Sequence, residues 1–176
     1  MRRHRAKAAG LLLLAAAAAL ATEQSAGGLR WTVPASWTVQ APRPMRAATY
    51  ALPAAPGAEA GECGVFFFGK GQGGTVSENL DRWTAQFENG TTPKKAVQDH
   101  AGLRVHTIEL SGTYLAPGGP MMQSQGKKPN WRLSGAIVEA PDGLVFFKCV
   151  GPIPTIEKAQ KDFERMLASL TRAQST

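Results

Sequence analysis

Residues suited to metal or covalent chemistry are scarce in this chain. Among 176 residues there are two cysteines and three histidines, and beyond the first few positions only His100 and His106 remain. No H-E-x-x-H or C-x-x-C frame surrounds them, so the common zinc patterns are excluded and no metal is expected. There is no G-x-S-x-G. Ser124-x-x-Lys127 spells an acylation motif but lies in a Gly/Pro-rich stretch, without the Ser-Asp-Asn and Lys-Thr-Gly partners that chemistry needs. Basic residues are also too dispersed for a nucleic-acid surface. Lys94-Lys95 and Lys127-Lys128 are the only clusters, with no basic stripe interleaved with aromatics, so no nucleic-acid partner is expected. Internal repeats are absent.

Long apolar runs are missing as well, apart from Leu11 to Leu20, which is shorter than the ~20 residues needed to cross a bilayer. Arg2, Arg3, Arg5 and Lys7 precede it and Ala19-Leu20-Ala21 follows it, the pattern of a secretory signal peptide over residues 1–21 cleaved after Ala21. No cysteine follows the apolar core, as lipid attachment would require. The expectation is an exported protein of the periplasm or extracellular space with no stable membrane span after cleavage. Four of the 20 basic residues lie in the signal; the remaining 16 face 13 acidic ones, a balance of only +3.

About 155 residues then remain, enough for one domain with a single sizeable core. Residues 22–28 are small and polar and read as a flexible lead-in; residues 29–172 read as the domain. Strand candidates are Leu29 to Val33, Trp37 to Gln40, Met45 to Leu52, Glu62 to Phe68, Lys94 to Asp99, Leu103 to Leu115, Trp131 to Ala140 and Leu144 to Val150. The last two form a hairpin about Pro141-Asp142-Gly143, and a three-residue loop there would set Ile137 opposite Phe147 and Gly135 opposite Cys149. One helix should start at Thr75, which with Glu78 forms a capping box. Its apolar stripe is Val76, Leu80, Trp83 and Phe87, and Asn89-Gly90 should end it. A second helix should run from Ile156 to Leu170, capped by Thr155. Strands outnumber helices and hairpins dominate, which predicts the α+β class with a mostly antiparallel sheet of about six strands. The runs VFFF and LVFF predict helices on both faces of that sheet.

Gly69, Gly71 and Gly74 fall on a literal G-x-G-x-x-G between a strand and a helix. Two or more strands precede it and the helix starts after the last glycine, so it reads as a tight turn and not as a dinucleotide fingerprint; no cofactor is expected. An anion could still be favoured at Gly71 to Gly74, with Lys70 and Gln72 assisting. Asn79, Arg82 and Gln86 share one side of the first helix, a hydrogen-bonding strip suited to recognition. From Ala116 to Pro129 the chain is too rich in Gly and Pro for regular structure, and its Met121 and Met122 suit an adaptable binding surface more than a copper site. The candidate binding residues are therefore Lys70, Gln72, Gly73, Gly74, Asn79, Arg82, Gln86, Met121 and Met122, and none is catalytic. Cys63 and Cys149 both lie in apolar strands. Two separate buried thiols are the expectation, with a disulfide as the alternative that export would permit.

The order of elements, the opening P-x-x-W of Pro34 to Trp37, and the closing hairpin followed by a helix resemble the PsbP/Mog fold. The strings PMRAATYALP, FFGKGQGG, NLDRWTAQF, GTYLAPGGPMM and FFK-x-x-GP are similar to a group of uncharacterised exported bacterial proteins, over nearly the whole domain. The resemblance implies an α/β/α sandwich and a non-enzymatic binding or assembly role, with an envelope protein or small ligand as partner. The competing expectation is a small hydrolase or metal-dependent enzyme whose site carries no familiar motif.

Overall fold

The structure, a computed structural model, describes residues 22–116 and 126–173. In chain order the elements are β1 (Thr22–Ala26), β2 (Leu29–Val33), β3 (Thr38–Val39), β4 (Ala48–Leu52), β5 (Gly61–Phe67), α1 (Val76–Ala85), β6 (Phe87–Glu88), β7 (Lys94–His100), β8 (Leu103–Leu115), β9 (Lys127–Ala140), β10 (Gly143–Pro152), α2 (Ile153–Ala168) and β11 (Thr171–Arg172). The larger sheet runs β3-β4-β5-β10-β9-β8-β6, with β7 also paired to β8; a smaller sheet runs β1-β2-β11. Every strand pairing among the described residues is antiparallel. The α+β expectation therefore holds, with eleven strands in two sheets where about six were expected.

Alternation along the strands divides the interior into two clusters. Phe147, Cys149, Val145, Ala136 and Val105 pack with Phe163, Met166 and Leu167 of α2, together with Leu29, Trp31 and Val33 of β2. Their immediate neighbours Phe146 and Ile137, with Ile108 and Leu133, pack instead with Leu80 and Trp83 of α1. The two helices cover the sheet only in part: β7, at its far end, is exposed along most of its length.

Several expectations need correction. Residues 22–28, expected to be a flexible lead-in, contain β1, which pairs residue for residue with β2 from Thr22–Val33 to Ala26–Leu29. The closing hairpin has a two-residue turn, because Gly143 adopts φ +131°, a conformation only glycine takes readily, and pairs with Ala140. That one-residue slip sets Ile137 opposite Phe146 and moves Phe147 to the other cluster; Cys149 faces Ser134, not Gly135. α1 ends at Ala85, capped by Gln86, before Asn89-Gly90, since Phe87 and Glu88 leave the helix to pair with Tyr114 and Thr113. α2 starts at Ile153, because Pro154 sits in its first turn, where a missing N–H costs nothing. Thr155, expected as its cap, is buried; it accepts from the Ala55 N–H at 3.1 Å and donates to the Glu59 carbonyl at 2.7 Å, tying the β4–β5 loop to the helix.

Cys63 and Cys149 are joined by a disulfide, against the expectation of separate thiols. The pairing of β5 with β10 sets the two residues directly opposite each other on one face. β9 also begins earlier than expected, at Lys127, inside the stretch expected to be irregular. Lys127 and Lys128 pair with Leu115 and Tyr114, and Pro129 and Asn130 occupy a bulge before Trp131 meets Gly112.

Candidate functional site

Beside α1, an open cleft of about 300 Å³ is lined by residues from α1, β5, β8, β10 and the segment leading into β4. Its α1 wall is the strip read from the sequence, Asn79, Arg82 and Gln86. Capping explains how that wall is held. The Thr75 side chain accepts from the Glu78 N–H at 3.2 Å, and the Glu78 carboxylate accepts from the Thr75 N–H at 2.8 Å and from its hydroxyl at 2.9 Å. These bonds, the backbone one first, hold the Glu78 carboxyl below the usual range. Asn79 is buried, and its amide donates to the carbonyls of Gly73 and Thr75, both at 2.8 Å. It clamps the glycine bend to the helix, and its remaining oxygen accepts from Arg82 at 3.1 Å.

On the opposite side, Glu62 of β5 accepts from Arg46 at 2.6 Å through one oxygen and from Arg43 at 2.8 Å through the other. The Arg46 guanidinium lies 5.3 Å from the Phe66 ring centre. Gly64 makes this possible, since a Cβ there would fall 2.9 Å from Phe66 and 3.3 Å from the Arg46 Nη1. Phe66, Phe68, Trp83, Phe146 and Tyr114 supply the apolar lining.

Lys148 also lines the cleft. It shares a face of β10 with Phe146 and Val150, donates to the Gln86 side-chain carbonyl, and holds its ammonium 5.5 Å from the Tyr114 ring centre. Burial, aided by the charge of Arg46, pushes its pKa down to about 8. Burial, aided by Glu62, pushes Tyr114 up to about 12. Among the described residues the cleft thus contains three cations, Arg46, Arg82 and Lys148, against one carboxylate, Glu62, which two arginines already neutralise. A second depression of about 390 Å³ continues from it past Arg46, Glu62, Tyr114 and Val150 to Arg43, Lys128 and Trp131. There Trp131 stacks on Tyr114 at 5.6 Å with the rings 6° apart, and Lys128 lies 5.0 Å from the Trp131 ring centre.

The remaining sequence candidates are dispersed. Gln72 and Gly73 line a shallow neighbouring depression with Phe68 and Arg82. Lys70 is exposed and does not line the cleft. Gly71, Gly73 and Gly74 all have positive φ, between +71° and +87°, which accounts for the glycines as a turn. The start of α1 is not open to an anion, because the Glu78 carboxylate already occupies it. Met121 and Met122 lie outside the described residues. Arg46, Glu62 and Lys148 escaped the sequence reading. For Lys148 a signal existed: it is the lone charge in the apolar run LVFFKCV. Among the described residues no group of three or more His, Cys, Asp or Glu is placed to hold a metal, and no helix is long and apolar enough to cross a membrane.

Fold and cleft together give an antiparallel α+β domain with an open, cationic and aromatic recess. No protein-family model and no curated protein matches the chain. Solved structures do. Cyanobacterial PsbP from Synechocystis superposes with a TM-score of 0.51 at 10% identity, covering 94% of this chain and 98% of its own. LpqN of Mycobacterium tuberculosis, involved in cell envelope biogenesis, gives 0.52 at 11% identity over 83% of each chain. A Pseudomonas aeruginosa protein of unknown function gives 0.52 at 11% identity, covering 88% of this chain and 99% of its own. At such identities the likeness is one of fold.

Proposed function

We propose that this is an exported, non-catalytic binding protein of the bacterial cell envelope, and that the cleft beside α1 receives an anionic group attached to an apolar body. The sheet then serves as the middle layer of an α/β/α arrangement, with α1 as one wall of the site. The observation behind this reading is Lys148. A half-buried ammonium whose hydrogen-bond acceptor is a neutral amide is poorly compensated, and among the described residues the only carboxylate lining the cleft is shared by Arg43 and Arg46. An incoming carboxylate or phosphate would supply the missing countercharge, with Arg82 at the rim, while Phe66, Phe68 and Trp83 take the apolar part. The disulfide supports export, since such bonds persist in oxidising compartments. The envelope role of LpqN agrees with the proposed location. A non-catalytic role is favoured because, among the described residues, the cleft pairs no nucleophile with a base.

The test is capture. The purified exported chain is incubated with an envelope extract, washed at low salt, and the retained species are identified by mass spectrometry. Wild type should retain an acidic species that Lys148→Met and Arg82→Ala lose and that raised salt releases. Equal retention by Lys148→Met, or nothing retained by wild type, would refute the assignment.

A further inference from the structure

β7 is the outer strand at one end of the larger sheet. It pairs with β8 along its full length, from Lys94–Glu109 to His100–Leu103, and no described strand pairs with its other edge. Seven residues of exposed edge would template pairing with any extended chain unless guarded. At the middle stands Val97, 54% exposed, one of the few large apolar side chains on the surface. Lys95 and Asp99 lie two residues to either side of it and so project from the same face of the sheet.

This arrangement is self-complementary. In an antiparallel pair centred on Val97, the Val97 side chains of two copies meet on the two-fold axis. Lys95 of each copy then falls directly opposite Asp99 of the other, with Ala96 opposite Gln98 and Lys94 opposite His100. Shifting the centre by one residue, to Ala96 or Gln98, sets Lys95 or Asp99 against Val97 and loses both charge pairs. Directly opposed side chains in an antiparallel pair interact, opposite charges favourably and like charges unfavourably. Lysines on an edge discourage pairing with unrelated strands; here each Lys95 meets an aspartate only when the partner is a second copy in this register. Within one chain Lys95 lies 3.6 Å from the exposed Asp81 of α1, and Asp99 faces Arg104 across β8.

We infer that β7 is a homodimer interface, in which two copies pair their β7 strands antiparallel about Val97 and join their larger sheets into one. The inference does not depend on what the cleft binds. Sedimentation equilibrium of the purified exported chain across a range of concentrations tests it, using charge reversals at exposed positions and circular dichroism to verify that each variant is folded. Wild type should associate to twice its mass. Lys95→Asp or Asp99→Lys alone places like charges opposite each other twice per dimer and should weaken association by about tenfold or more. The double variant Lys95→Asp/Asp99→Lys exchanges the charges and should restore association to near the wild-type level. A wild type that stays monomeric throughout, a dimer indifferent to either single reversal, or a double variant no better than the singles overturns the inference.

Discussion

Gly135 of β9 packs against the Trp83 ring: a Cβ built on it would come within 2.5 Å of the indole, and within 3.2 Å of Ile108. The glycine is the recess that lets a tryptophan from α1 lie flush on the sheet, and that seating sets the wall of the cleft. Gly135→Ala should overpack this contact and cost about 1–3 kcal/mol in urea unfolding. Trp83→Leu in the same chain should remove most of the added penalty, because the two sites are in contact. Additive losses would show that the alanine acts elsewhere.

Cys63 and Cys149 are 86 residues apart and opposite each other in β5 and β10. Closing so long a loop restricts the unfolded chain, which in the chain-entropy account is worth about 4 kcal/mol. Reduction of the purified chain, verified by thiol titration, should lower its urea midpoint by a corresponding amount with the fold retained at low denaturant. A midpoint unchanged after full reduction would contradict a stabilising bridge.

How much of this was legible depended on whether the signal was local. Thr75 and Glu78 announced the start of α1, and the spacing of Leu80, Trp83 and Phe87 announced its buried side, because both are read within two turns. The longer strands were readable from alternation and the doubly buried runs, whereas β1, β6 and β11 were not. Register was not: the Pro141-Asp142-Gly143 turn fits loops of two or three residues, and only the φ of Gly143 in its tertiary setting decides. The disulfide depended on a pairing between distant strands. The cleft was legible on one wall, since helical spacing gathers Asn79, Arg82 and Gln86; even there, Asn79 proved to be a clamp on the glycine bend. Arg46, Glu62 and Lys148 arrive from three separate places in the chain, and sequence spacing does not bring them together.

Export is testable at one peptide bond. Thr22 opens β1 and pairs with Val33, so cleavage after Ala21 would release the signal and leave the strand whole. Envelope-fraction protein from the native host should therefore have Thr22 as its first residue by mass spectrometry. An intact Met1 form in the cytoplasm, or a first residue inside β1, would rule out this cleavage.

Lys148 predicts a pH dependence of unusual direction. Its folded pKa of about 8 lies below the unfolded lysine value of about 10.4. Below pH 8 both states are protonated and the cost of the half-buried ammonium is fully present. As pH rises beyond 8 the folded state releases its proton first; the unfolded state then binds more protons, so stability increases with pH. The full gain is on the order of 3 kcal/mol, of which part should appear between pH 7.5 and about 9.5. That window precedes the opposing effect of Tyr50 and Tyr114, both raised to about 12 by burial, which lower stability once unfolded tyrosines ionise near pH 10. Lys148→Met should be more stable than wild type at pH 7 and lack this rise, while losing the captured anion: the residue costs stability where it supplies binding. Urea unfolding of both proteins across the window is the measurement. A rise that persists undiminished in Lys148→Met would assign the titration to another group and remove the argument for a poised cation in the cleft.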